Sequence, residues 1–268
     1  MHQSRIEKCF DELKRFKKKA VIPYVTSGDP KISLTVRLMH ALVESGADII
    51  ELGVPFSDPI ADGPIIQRAS ERALKQGVNL GSCLNFVKEF RVKNTKTPIV
   101  LMGYMNPIEQ YGWDQFADTA SKAGVDGVLV VDCPPEESKF FFDKLKMVNI
   151  DCIHLVSPTT SEKRLHKILG EASGYIYYVS LRGVTGSNKL DPVDVSQKIN
   201  YVKKHTKLPV AVGFGISSRK SVADMSKTNA DGIVIGSALI KAMEEASLKE
   251  ECPVESVKLC LEDLFKGL

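Results

Sequence analysis

The run Ala47-Asp48-Ile49-Ile50-Glu51-Leu52 continues as Gly53-Val54-Pro55-Phe56-Ser57-Asp58-Pro59-Ile60-Ala61-Asp62-Gly63-Pro64, an apolar strand and the loop after it, with a carboxylate at the strand end and others in the loop. Side chains in a strand alternate faces, so Glu51 shares a face with Ile49 while Ile50 and Leu52 take the other. Both faces are apolar, and the strand is therefore expected to be buried on both sides. A glutamate there loses hydration that only good partners replace, and unpaired Glu is rarely fully buried. Such a residue is tolerated for chemistry more readily than for packing. The bland alternative is a strand-end carboxylate that meets water or a lysine.

Outward from this segment the chain repeats one unit. Short apolar strands are expected at 20–25, 48–52, 98–102, 126–131, 151–156, 174–180, 208–212 and 231–235, each followed by a segment of helical length. Three joints share a device, Ser45-Gly-Ala-Asp48, Lys122-Ala-Gly-Val-Asp126 and Thr228-Asn-Ala-Asp231, in which Gly or Asn suits the left-handed conformation that ends a helix. Two strands open with proline, Pro98 and Pro209, where no ladder hydrogen bond is forfeited. Ahead of the first unit, Ser4-Arg-Ile-Glu7 reads as a capping box, followed by Ile6, Phe10, Leu13 and Phe16 at helical spacing. After Pro253, the residues Val254, Val257, Leu261 and Leu264 form a helical stripe. Eight βα units in one compositional regime predict an α/β fold, a (β/α)8 TIM barrel, as a single domain over 1–268 with an extra N-terminal helix. A doubly wound open sheet is the alternative.

Composition narrows the functional classes. The 268 residues are 43% hydrophobic, enough for a large core, and the net charge of +3 is spread along the chain. The densest basic run, Lys14 to Lys19, falls at a predicted helix end, where cations favour the dipole, and no aromatic-basic array accompanies it. A nucleic-acid partner is not expected. Six cysteines lack any Cys-x-x-Cys spacing, which argues against a metal site or a disulfide framework and fits reduced thiols, buried by default. No apolar run approaches the roughly 18 residues of a membrane span, so no membrane partner is expected and the localisation reads as cytoplasmic.

Barrel active sites sit at the C-terminal strand ends, which brings forward Glu51, Asp62, Tyr104, Asp132, Tyr177, Thr185 and the glycines of the late loops. Gly213-Phe-Gly-Ile-Ser217 and Ile235-Gly-Ser237 follow strands seven and eight and each opens a helix; exposed backbone N–H groups there make an anion site. Gly183-Val-Thr-Gly186 is a third such turn. Asp58 fits an Asx turn, Asp132 fits a cap for the helix after it, and Tyr177 also fits plain barrel core.

With these residues in hand, the chain closely resembles the tryptophan synthase α subunit family. Its markers are Ile22-Pro-Tyr-Val-Thr-Ser-Gly-Asp-Pro30, Glu51 to Gln67, Gly183 to Gly186, Gly213 to Ser217 and Gly236-Ser237. The resemblance implies retro-aldol cleavage of indole-3-glycerol phosphate into indole and glyceraldehyde 3-phosphate. By resemblance Glu51 is the acid and base, and Asp62 accepts the ring N–H. Tyr177 and Thr185 lie near the substrate, with Thr185 orienting Asp62. The phosphate rests on Gly186, Gly215, Gly236 and Ser237, and the indole ring on Tyr24, Met102 and Ile66. The resemblance also implies a β subunit partner carrying pyridoxal phosphate, in an αββα heterotetramer, while this chain uses no cofactor and no metal. Phe56, set between two prolines, looks like part of the docking surface. One departure stands out: the family commonly continues Gly-Val-Thr-Gly with Ala-Arg, and this chain has Ser187-Asn188. That departure motivates a second reading, a weakly catalytic subunit whose main role is to bind and activate its partner. A third, another phosphate-binding barrel such as a sugar-phosphate isomerase, has no reason to carry Glu51 through Pro64.

Overall fold

The computed structural model describes residues 3–180, 192–213 and 215–266. Eight parallel strands follow one another around a ring: β1 (Ala20–Thr26), β2 (Ile50–Gly53), β3 (Ile99–Gly103), β4 (Gly127–Val130), β5 (Asp151–Val156), β6 (Ile176–Val179), β7 (Val210–Gly213) and β8 (Gly232–Ile235). The ring closes where β8 pairs with β1, Ile22 lying opposite Val234, which excludes the open doubly wound sheet. The helices are α1 (Arg5–Arg15), α2 (Thr35–Glu44), α3 (Pro64–Lys75), α4 (Leu80–Arg91), α5 (Met105–Tyr111), α6 (Trp113–Ala123), α7 (Pro135–Met147), α8 (Glu162–Glu171), α9 (Pro192–His205), α10 (Arg219–Ser226), α11 (Ser237–Leu248) and α12 (Pro253–Phe265). Two helices, rather than one, follow each of β2, β3 and β8.

The alternation of side chains sorts the apolar residues into two bodies. Ile22, Ile49, Val100, Leu129, Ile153, Tyr175, Tyr177 and Val234 fill the barrel interior. Ile50, Leu52, Ile99, Leu101 and their equivalents face the helices. The division between Ile49 and its neighbours Ile50 and Leu52 is the one expected, and it sends Glu51 inward.

Several strands begin one or two residues later than their apolar runs suggest, and the aspartates left outside have work of their own. The Oδ2 atoms of Asp48, Asp126 and Asp231 accept from Val21 N–H, Ile99 N–H and Val210 N–H, each at 2.8 Å. An aspartate ahead of β2, β4 and β8 thus satisfies the backbone at the start of β1, β3 and β7. Gly46 and Gly124 take the left-handed conformation, φ 94° and 89°. Asn229 does not, and its amide instead donates to Asn200 Oδ1.

Helix α1 plugs the N-terminal mouth of the barrel. Ser4 accepts from Glu7 N–H, the N-cap half of the expected capping box, and donates to Asp151 Oδ2 at 2.8 Å. Arg5 reaches Asp126 Oδ1 at 2.7 Å, and Ile6 and Phe10 are buried in the interior cluster. Phe16 is exposed, because the helix ends at Arg15 before its turn would face inward. The basic run is not wholly solvated: Lys19 Nζ donates to the carbonyls of Thr228 and Ala230. At the other terminus Val257, Leu261 and Leu264 are buried and Val254 half-buried. Among the described residues no helix is long and apolar enough to cross a membrane.

Candidate active site

Glu51 is the second residue of β2, opposite Tyr24 of β1 on one side and Val100 of β3 on the other. Its side chain is fully buried. Tyr175 donates its hydroxyl to Glu51 Oε1 at 2.5 Å, while Oε2 has no hydrogen-bond partner. Burial pushes the Glu51 carboxyl up to about 7 against the pull of the Tyr175 hydrogen bond. Such a group is populated in both protonation states at neutral pH, which suits a single residue that both gives and takes a proton.

Tyr175 was not singled out from the sequence. It precedes β6 by one residue and shares the inward face with Tyr177, so the alternation alone carried the signal. Phe10 packs on it from below, ring centroids 5.8 Å apart, so the N-terminal helix braces the tyrosine that holds Glu51.

Asp62 is half-buried in the loop after β2 and receives the Tyr104 hydroxyl on Oδ2 at 3.0 Å. Burial raises its pKa and the bond from Tyr104 opposes the rise. Two tyrosines join the carboxylates into one site. The Tyr24 phenol is raised by burial and then by the charges of Asp62, Tyr104 and Glu51. That of Tyr177 is raised by burial and then by Glu51, Tyr24 and Asp62. Both remain protonated donors. Tyr177 also lies across Gly213, where a Cβ would overlap its hydroxyl, and Tyr24 likewise crosses Gly53. Met102 borders both apolar clusters and is half-buried, as is Ile66 in the first turn of α3.

On the same rim, after β7 and β8, Gly215 adopts φ +74° and Gly236 is the N-cap of α11 with no side-chain cap, Ser237 being the first helical residue. The first-turn N–H groups of such a helix have no intrahelical partner. Helix α10 opens later than expected, at Arg219, with Ser218 as its cap. Gly236 is also close to a neighbour, since a Cβ would stand 3.1 Å from Tyr24 Cδ1 and the ring would have to give by a few tenths of an ångström. Thr185, Gly186 and the rest of the 181–191 segment lie outside the described residues, as does Phe214.

Two expectations are corrected. Asp132 does not cap the helix after it; its Oδ1 accepts Met105 N–H at 2.8 Å and so serves α5. Asp58 takes the Ser57 hydroxyl, and the turn is closed by its backbone carbonyl accepting Ile60 N–H. Phe56 is half-buried and lies against Tyr104, ring centroids 5.2 Å apart. All six cysteines are free; Cys83 and Cys152 are buried, whereas Cys252 is exposed.

Comparison with known proteins places this geometry. The family model described as tryptophan synthase alpha chain matches residues 10–266. The tryptophan synthase alpha chain of Polynucleobacter necessarius is 55% identical over 243 residues, 91% of each chain. Among solved structures, the tryptophan synthase alpha subunit of Legionella pneumophila strain Paris superposes with a TM-score of 0.92 at 44% identity, covering 98% of this chain and 97% of that one. A chain from the Pyrococcus furiosus tryptophan synthase α2β2 complex gives a TM-score of 0.83 at 42% identity, over 91% of this chain and 97% of that one.

Proposed function

This chain belongs to the tryptophan synthase alpha chain family, and on that premise we propose that Glu51 and Asp62 carry its reaction. The family's reaction is the lyase cleavage of indole-3-glycerol phosphate to indole and glyceraldehyde 3-phosphate, in tryptophan biosynthesis. The observation that supports the assignment is Glu51, a carboxyl buried on the inner barrel face with its pKa near neutrality.

Protonated Glu51 delivers its proton to the indole ring carbon that bears the glycerol side chain, leaving a cationic indolenine. The resulting carboxylate then takes the proton of the adjacent side-chain hydroxyl. That electron pair forms the aldehyde carbonyl, the carbon–carbon bond breaks, and its pair returns to the ring as indole. Asp62 accepts the ring N–H, and its charge stabilises the cation. The apolar wall for the ring is Tyr24, Met102 and Ile66, with Tyr177 beside the reacting centre and Thr185 orienting Asp62. Backbone N–H groups of Gly186, Gly215, Gly236 and Ser237 take the phosphate, where the dipole of α11 favours an anion.

The chain acts as one barrel domain in the cytoplasm and needs no cofactor of its own. Its partner is a β subunit, which holds pyridoxal phosphate in an αββα assembly and docks on the loop of Pro55, Phe56 and Pro59. Exposed Ile60 extends that apolar surface. The second reading, a weakly catalytic activator of the β subunit, is favoured by Asn188 standing where the family commonly has arginine.

Indole release from indole-3-glycerol phosphate, measured with and without a β subunit, tests both readings. Glu51→Gln is expected to fold and to lose nearly all turnover, since an amide matches the carboxyl in shape but does not exchange the proton. Near-normal turnover by that variant refutes the assignment.

A further inference from the structure

The loop between β2 and α3 rests on one side chain at both of its ends. Tyr104 follows β3 as the N-cap of α5 and is buried. Its ring lies against Phe56, near the start of the loop. Its hydroxyl donates to Asp62 Oδ2 at 3.0 Å and accepts Ala61 N–H at 3.1 Å, at the loop's end. The backbone beside it is fixed in turn: Met105 N–H is held by Asp132 Oδ1, and Val54 N–H donates to Met102 O at 2.8 Å.

We infer that Tyr104 is the positioning residue of Asp62, its hydroxyl clamping one carboxylate oxygen and the neighbouring backbone so that the other oxygen is presented to the substrate. The inference rests on the reading of Asp62 as acceptor for the indole N–H. A carboxylate free to rotate about its last bond presents an oxygen in the required direction only part of the time. One pinned through Oδ2 presents Oδ1 in a fixed plane. The hydroxyl is the economical means, because a single oxygen donates to the side chain and accepts from the main chain one residue earlier. The ring has a separate structural task against Phe56. The two roles separate on removing the oxygen alone.

The test is a double-mutant cycle on indole release, with β subunit present, using wild type, Tyr104→Phe, Asp62→Asn and the pair. Phenylalanine keeps the ring, so Tyr104→Phe is expected to lower kcat about tenfold, the usual effect of losing a hydrogen bond to a charged group. KM for indole-3-glycerol phosphate should move less than about twofold, since the clamp acts on the step that generates the cation. In the Asp62→Asn background the same substitution should cost less than about twofold. An equal loss in both backgrounds, or an unchanged kcat in Tyr104→Phe alone, overturns the proposal. The underlying reading fails differently: Asp62→Asn would then turn over like wild type, and the cycle would show no loss for the clamp to act through.

Discussion

At the scale of single residues, Glu51 shows how a barrel brings a carboxylic acid to the neutral-pH range that the proposed chemistry needs. The β2 strand turns the side chain inward, the barrel removes water, and Tyr175 returns one hydrogen bond while Oε2 receives none. Charge is therefore disfavoured, and the carboxyl moves from its ordinary 4.5 to about 7. Between those pH values the folded chain keeps a proton that the unfolded chain has released. Stability from this group is fully present below pH 4.5 and declines as pH rises to 7, by up to about 3 kcal/mol. Glu51→Gln removes the decline. Its unfolding free energy relative to wild type should rise between pH 5 and pH 8 in urea titrations, and parallel pH slopes would contradict a dry carboxyl. Asp62→Asn should be milder in turnover, with a loss on the order of a hundredfold, because an amide oxygen still accepts the ring N–H but brings no charge to the cation.

At the scale of elements, the two ends of the barrel divide the labour. The N-terminal end is held by aspartates, most heavily by Asp126, which receives Arg5, Arg91 and the Ile99 N–H. Asp126→Ala leaves the largely buried Arg91 guanidinium uncompensated and should destabilise by about 3–5 kcal/mol in chemical denaturation, with KM little changed. The C-terminal end carries the loops and the start of α11. There Gly236→Ala and Gly236→Asp both press on Tyr24, but only the aspartate sets a like charge where the phosphate is proposed to lie. Gly236→Asp should raise KM by about tenfold or more beyond Gly236→Ala. Equal KM values would remove the phosphate from this helix.

At the scale of the molecule, the proposed docking loop and Asp62 meet on Tyr104, so the proposed partner contact and the proposed chemistry would share a support. Phe56→Ala should weaken assembly with the β subunit and lower kcat in the same variant, read by calorimetry and indole release. The segment carrying Ser187-Asn188 lies outside the described residues. Asparagine lacks the fixed charge of arginine, so restoring Ala-Arg at 187 and 188 should raise kcat with little change in KM if closing this loop limits turnover. Wild type already at the restored rate would show the departure to be neutral.

What the chain order alone determined was periodic and local. Alternation placed Glu51 inward with Ile49, eight apolar runs separated by helical segments implied the closed barrel, and Gly46 and Gly124 marked helix ends. The pattern Glu51 to Gln67 led to the family. What only the tertiary structure decided was the choice of distant partners: Tyr175 for Glu51 across 124 residues, Tyr104 for Asp62 across 42, and Asp132 for α5 instead of the helix that follows it. Side-chain period is set by backbone geometry and can be read within one element. Which hydroxyl meets which carboxylate depends on the register and curvature of strands brought together only when the barrel closes.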